Sequence, residues 1–178
     1  MAMPEPRIGE ILFSPDQIHG RLAELAADID ADYAGRDLVL LGVLKGAMMI
    51  MADLARMLTH DRVEIDWITV SSYGQGTTSS GVIRMVKEPD LDLAGRNVLV
   101  VDDITDSGLT LSWLMANLGS RGAASVEVFS LLRKPELVKV DVPLRYLGFD
   151  IPPDFVAGYG MDYAQRYRNL PYIARLDF

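Results

Sequence analysis

The amino-acid sequence predicts a single α/β domain built on a mainly parallel sheet. Two short continuous apolar runs, LVLLGVL (38–44) and NVLVV (97–101), have the length and hydrophobicity of strands covered on both faces. Such strands alternate along the chain with stretches of helical spacing, the pattern of a parallel α/β sheet. The length of 178 residues and the apolar fraction of 49% suit one domain with a real core.

The elements follow in order. Ser14-Pro15-Asp16-Gln17 reads as a helix start, with Ser14 as cap, Pro15 at the first helical position and Gln17 closing a capping box. Ile18, Leu22, Leu25 and Ile29 then mark a helical stripe that Gly35 stops. The first buried strand comes next, and residues 47–58 (AMMIMADLARML) read as a helix packed along much of its surface. Residues 63–70 (VEIDWITV) alternate as a strand. From Ser71 to about Asp92 the chain turns rich in Ser, Gly and Thr and reads as a mobile connector. After the second buried strand, residues 107–118 have helical spacing through Leu111, Leu114, Met115 and Leu118. Two further strands are expected near 125–132 and 144–149. The last thirty or so residues, rich in Pro and aromatics, are expected to form a small subdomain over the sheet edge.

Bulk chemistry narrows the partners. A net charge of −8 argues against a broad grip on nucleic acid, which needs clustered Lys and Arg to displace counterions. A small polyanion remains possible if backbone N–H groups, a few cations or a metal hold it locally. The absence of cysteine removes a disulfide scaffold and a thiolate zinc site. There is no signal-peptide pattern and no run near the roughly 18 apolar residues that span a bilayer, so the expectation is a cytoplasmic protein without membrane contact.

The most informative stretch is Val98-Leu99-Val100-Val101-Asp102-Asp103-Ile104-Thr105-Asp106-Ser107-Gly108-Leu109-Thr110. A hydrophobic strand ends in two carboxylates; a third follows three residues later, then a Ser-Gly-x-Thr turn opens a helix. Ligands of open α/β sheets bind beyond the carboxyl ends of the strands. A glycine turn at a helix start aims N–H groups and the positive helix end at one spot, which suits a phosphate, and Ser107 and Thr110 add hydroxyls. Acids beside a phosphate repel it unless they hold Mg²⁺ or bind sugar hydroxyls. One Asp at a strand end commonly only caps a turn; three with this turn do not read that way. A phospho-acceptor receiver domain also begins with paired acids, but too little chain follows Asp102 for one.

This segment resembles the ribose-phosphate signature of the type I phosphoribosyltransferases, and the resemblance extends from about Ile8 to Leu176. It implies the family's fold: a twisted, mainly parallel sheet flanked by helices, a hood built from C-terminal and N-terminal segments, and a mobile lid at about 71–92. It further implies that Asp102 and Asp103 sit by the ribose hydroxyls and Mg²⁺, that Asp106 acts near the reacting base nitrogen, and that the turn from Asp106 to Thr110 holds the 5′-phosphate. Ile104 and Thr105 belong to the same substrate-binding stretch. Leu109 stands where relatives often carry Lys or Arg, so only its backbone is expected to contribute.

A second glycine turn, Gly42-Val43-Leu44-Lys45-Gly46-Ala47, resembles the pyrophosphate loop of the 6-oxopurine-specific branch, with a cis peptide between Leu44 and Lys45. In that branch Ser72 and Tyr73 of the lid touch pyrophosphate. Lys134 and the segment Asp154-Phe155-Val156-Ala157-Gly158-Tyr159-Gly160-Met161-Asp162-Tyr163, with Arg168, resemble the same branch. The resemblance implies that Phe155 stacks on the purine, Val156 offers backbone hydrogen bonds, Asp162 reaches a second metal and Arg168 contacts pyrophosphate. Lys134 would select the base, because an ammonium only donates and so suits a 6-oxo group rather than the amino group of adenine. The implied reaction joins phosphoribosyl pyrophosphate to hypoxanthine, and guanine with it, giving IMP or GMP and pyrophosphate, in a dimer or tetramer. An RNA-binding attenuation regulator on the same fold, which also uses uracil, is the rival. It calls for a basic face that the net charge opposes.

Overall fold

The computed structural model describes residues 5–73 and 82–178. Its main sheet holds β2 (Leu38–Val43), β3 (Val63–Tyr73), β4 (Val82–Lys87), β5 (Asn97–Thr105), β6 (Ser125–Arg133) and β7 (Tyr146–Asp150), in the order β4-β3-β2-β5-β6-β7. Neighbours are parallel except β3 and β4. A separate antiparallel sheet joins β1 (Arg7–Phe13), β9 (Ile173–Asp177) and β8 (Val156–Ala157), so the two ends of the chain together build the hood.

The buried strands sort their side chains by parity. Leu38, Leu40, Leu99, Val101, Phe129 and Leu131 join one core with the helices α1 (Pro15–Asp32) and α2 (Met48–Met57). Val39, Leu41, Val98, Val100 and Val128 join the other core, against Leu111, Leu114 and Leu118 of α3 (Leu109–Ser120). A strand buried on both faces has no polar face to show, which is why these segments are continuously apolar. Each such side chain contributes about 1.5–3 kcal/mol by leaving water. The start of α1 is capped as the sequence predicts: Gln17 N donates to Ser14 Oγ at 3.3 Å, and Ser14 N donates to Gln17 Oε1 at 2.9 Å.

The structure departs from the sequence-based expectation in two places, the end of β5 and the connector after Ser71. β5 runs on through Asp102 and Asp103 to Thr105, because β6 continues to pair with it and the buried Thr105 and Ser130 hydroxyls bond at 2.8 Å. The expected hood is present as β1, β9 and β8; β1 pairs with β9 from the opposite end of the chain, so no local pattern announces that pairing. The expected connector from Ser71 is in part regular: residues 71–73 extend β3, and β4 returns antiparallel beside it. The alternation of VIRMVK supports that second strand. Residues 74–81, the centre of the expected lid, lie outside the described residues. The returning arm is tied down by Asp66, 4% exposed, whose carboxylate accepts the N–H groups of Trp67, Asp90 and Leu91 at 2.7, 2.7 and 2.9 Å.

Strand order reverses at one place that matters. The chain passes from β2 outward to β3, then returns to place β5 on the other side of β2 before continuing to β6 and β7. Connections leaving the carboxyl ends of β2 and β5 therefore part in opposite directions and leave a crevice between them, the usual ligand position in such sheets.

Candidate active site

The crevice is a cavity of about 370 Å³. Val43 and Leu44 line it from the end of β2, and the stretch from Asp102 to Gly108, with Thr110 and Leu111, lines it from β5 and α3. The two glycine turns singled out in the sequence thus face each other across one opening.

Asp103 and Gly46 fix the distance between these turns. A Cβ on Gly46 would lie 1.8 Å from Asp103 Oδ2, so only glycine lets the loop after β2 pass the acid. The Leu44–Lys45 peptide in that loop is cis. Each acid bonds locally: Asp103 N donates to Asp102 Oδ1 at 3.1 Å, and Ile104 N donates to Asp103 Oδ1 at 2.8 Å. Both carboxyls keep some exposed surface at the crevice but are otherwise enclosed by protein. Burial, and then the neighbouring charge of Asp103, pushes Asp102 well above the usual carboxylate range. Burial also raises Asp103, against the local hydrogen bonds and the Arg168 charge that favour its ionised form. This is a crowded acidic pair whose joint ionisation is disfavoured for want of positive partners.

The glycine turn opens α3 where the sequence places it. Gly108 sits before α3 with φ +79°, no side chain caps the helix, and Ser107 and Thr110 flank the opening. A Cβ on Gly108 would meet Val140 O at 2.2 Å. The backbone N–H groups of Lys139 and Val140 both bond Ser107 O at 3.0 Å, which pins the turn from behind. Leu109 N lies 3.4 Å from Ser107 Oγ, while its side chain points outward. Free N–H groups at an uncapped helix start are an anion seat.

Lys134 follows β6 and is 8% exposed. Its N–H donates to Thr105 O at 3.0 Å, and its Nζ lies 3.3 Å from Asp106 Oδ1. Phe155, by contrast, is 65% exposed for so large an apolar ring. It meets Phe178 edge to face at 5.4 Å, and Phe178 meets Tyr163 in the same manner at 5.4 Å. Val156 is buried in β8, paired with Arg175 of β9, and Leu176 N donates to Phe155 O at 2.8 Å. The hood sheet therefore carries the aromatic shelf.

The remaining residues converge beside the β2 turn. Gly160, at φ +98°, packs so closely that a Cβ would lie 2.2 Å from Gly46 O. Arg168 donates to Gly160 O at 2.7 Å and pairs with Asp162 Oδ1 at 2.7 Å. Lys45 Nζ donates to Gln165 Oε1 at 3.0 Å, and Arg168 Nη2 reaches the same oxygen at 3.3 Å. Ser72 and Tyr73 are placed only as backbone at the end of β3. Among the described residues no three acids or histidines converge as a single metal cage. The sequence does not single out Gln165 or Phe178. Neither has a signal of its own: Gln165 meets Lys45 from far along the chain, and Phe178 meets Phe155 and Tyr163 only once the hood has packed.

Comparison with known proteins agrees with this geometry. A family model for the phosphoribosyl transferase domain matches residues 14–164. Hypoxanthine-guanine phosphoribosyltransferase of Mycobacterium tuberculosis is 50% identical over 176 residues, covering 96% of this chain and 87% of that protein. A hypoxanthine-guanine phosphoribosyltransferase from Bacillus anthracis superposes with a TM-score of 0.91 at 40% identity, covering 98% of this chain and 100% of the other. A hypoxanthine phosphoribosyltransferase from Staphylococcus aureus gives 0.90 at 40% identity, over 96% and 92%. The chain belongs to the phosphoribosyltransferase family, among its hypoxanthine-guanine members.

Proposed function

We propose that the chain is a purine-salvage enzyme that transfers the 5-phosphoribosyl group of phosphoribosyl pyrophosphate to hypoxanthine and guanine, releasing pyrophosphate and IMP or GMP. One observation carries the reading: an acid pair, an uncapped helix-start turn and the buried Lys134 paired with Asp106 share one opening at the strand-order reversal. Relatives at 50% and 43% identity are named hypoxanthine-guanine phosphoribosyltransferase.

On this reading the N–H groups from Ser107 to Thr110, with the Ser107 and Thr110 hydroxyls, hold the 5′-phosphate at the start of α3. Ile104 and Thr105 form the floor, and Leu109 contributes its backbone alone. Asp102 and Asp103 accept from the ribose hydroxyls. Leu44, Lys45 and Gly46, with Ser72, Tyr73 and Arg168, surround the pyrophosphate. Phe155 stacks on the purine, Val156 hydrogen-bonds its edge, and Lys134 Nζ donates to the 6-oxo oxygen.

A hard divalent cation fits the donor set, which offers carboxylate oxygens and no thiolate. Asp102 and Asp103 form an enclosed acidic pair whose joint ionisation a cation would favour. Asp162 would serve a second ion, since one carboxylate accepting from Arg168 and from Gln165 N retains acceptor capacity. When bound, Mg²⁺ supplies charge neutralisation that makes pyrophosphate a better leaving group.

The bond from the anomeric carbon to the pyrophosphate oxygen breaks, and the purine N9 lone pair forms the new bond to that carbon. Asp106 hydrogen-bonds or deprotonates the imidazole half of the base at the nitrogen that does not attack, raising the electron density on N9 as the new bond forms. Holding both reactants in one crevice removes much of the entropic barrier. The turn and the two-stranded arm exclude the water that would otherwise capture the cationic sugar. The resemblance implies a homo-oligomer, dimer or tetramer, working in the cytoplasm; among the described residues no helix is long and apolar enough to cross a membrane.

The decisive assay follows IMP formation from hypoxanthine, phosphoribosyl pyrophosphate and Mg²⁺, with adenine and uracil as comparison bases. Of these three bases, turnover with hypoxanthine alone is expected. Turnover confined to uracil would replace this reading with the pyrimidine one.

A further inference from the structure

Gln165 occupies an unusual position for a residue with no assigned part in the reaction. Its carbonyl oxygen accepts from Lys45 Nζ at 3.0 Å and from Arg168 Nη2 at 3.3 Å. Two cations from distant parts of the chain thus meet on one neutral oxygen. Like charges brought together repel, and the Gln165 oxygen draws both to one point without adding charge, while Asp162 pairs with Arg168 from the side at 2.7 Å. The Gln165 backbone is held as deliberately as its side chain. Its N–H donates to Asp162 Oδ2 at 2.7 Å, and Tyr163 and Arg166 form an isolated bridge around it. Ala164, Gln165 and Tyr167 all have positive φ, at 51°, 67° and 74°. Left-handed non-glycine residues are costly and persist where the surroundings over-determine them, commonly at ligand sites.

We propose that Gln165 is a positioning residue of the pyrophosphate seat: its amide oxygen stands in for a phosphoryl oxygen when no anion is bound and keeps Lys45 and Arg168 aimed at one point. The proposal deepens the transferase reading and rests on it for the identity of the anion. When a phosphoryl group enters, its oxygen takes over the two cations. The amide then turns about its last torsion and presents its NH₂ donors to the same anion. An amide can do both, since it carries an acceptor on one side and donors on the other. A carboxylate could serve only the anion-free state, and a hydrocarbon neither.

Two variants separate these roles. Gln165→Leu leaves the cations unconverged, whereas Gln165→Glu binds them in competition with the ligand. Inorganic pyrophosphate is titrated calorimetrically into wild type and both variants, with and without Mg²⁺, and steady-state constants are measured for both substrates. For Gln165→Leu the expected loss in pyrophosphate affinity is about tenfold, the size of one hydrogen bond involving a charged group. KM for phosphoribosyl pyrophosphate rises in parallel while KM for hypoxanthine holds. Gln165→Glu is expected to lose more, about a hundredfold, and to recover part of it in high salt, because its block is ionic. Unchanged pyrophosphate affinity in both variants overturns the proposal. So does an equal loss for both substrates together with a lowered melting temperature, which marks a purely structural residue. Calorimetry needs no turnover, so a wild type that binds pyrophosphate but makes no IMP refutes the transferase reading without touching Gln165.

Discussion

Lys134 Nζ lies 3.3 Å from Asp106 Oδ1, so the residue proposed to read the base is ion-paired with the residue proposed to deprotonate it. Lys134 is almost wholly buried, whereas the Asp106 side chain is half exposed at the crevice mouth. A buried ammonium needs a partner, and Asp106 supplies one. On the proposed reading, base binding and base activation are thereby linked. The ligand that satisfies Lys134 frees Asp106 to meet the imidazole half of the same ligand.

Asp106→Asn keeps the shape and removes the proton acceptor. Turnover is expected to fall by about 10²–10⁴-fold, the usual yield of a positioned base, with both KM values little changed. Steady-state kinetics with hypoxanthine decide it. Near-normal turnover removes Asp106 from the proton transfer.

Lys134→Gln replaces a pure donor by a group that can also accept. Discrimination between 6-oxo and 6-amino purines should narrow by about 10–100-fold in kcat/KM, because a buried donor facing a donor costs about 1–3 kcal/mol. Competing hypoxanthine and adenine in one assay measures this directly. An unchanged ratio places the selectivity elsewhere.

Phe178 holds the Phe155 ring edge to face and is itself held by Tyr163. Phe178→Ala should raise KM for hypoxanthine by about 3–10-fold, the worth of one aromatic pair. Phe178→Tyr should restore it. KM for phosphoribosyl pyrophosphate serves as the internal control, and a rise there too would indicate general loosening of the hood.

Stability against pH should have two limbs set by hydrogen-bonded pairs outside the active site. A hydrogen bond from Tyr146, and then Arg145, holds Asp32 below its ordinary 3.8. Arg133 does the same for Asp150. A depressed carboxylate stabilises fully above its unfolded value and loses that contribution as pH falls through the folded one, so the acid limb opens below about pH 4. Burial, and then the Glu127 carboxylate, raises the Tyr33 phenol. Its contribution is complete below the ordinary 10.0 and fades as pH rises beyond it. Melting temperatures across pH should show a flatter acid limb in Asp32→Asn and a flatter alkaline limb in Tyr33→Phe. Parallel curves for variant and wild type contradict the assignment.

Much of the site is legible in the sequence because its parts are local. The strand NVLVV, the acids at its end and the Ser-Gly-x-Thr turn lie within fourteen consecutive residues, and backbone geometry alone sends the turn's N–H groups to the strand end. The cap at Ser14 and the apolar runs of β2 and β5 are likewise set by near neighbours and by burial on both faces. The hood is different. Arg7 pairs with Asp177 and Ile8 with Leu176, and no periodicity in either segment specifies a partner at the far end of the chain.

The sequence by itself therefore determined the sheet class, the anion turn, the acid pair and the chemistry they favour, since propensity, capping and short-range spacing act over a few residues. Only the tertiary structure decided which side chains meet. Lys134 against Asp106, Lys45 and Arg168 on the Gln165 oxygen, and Phe178 beneath Phe155 are contacts between segments that strand order brings together. Their energies depend on separations that exist only after the sheet and hood have packed.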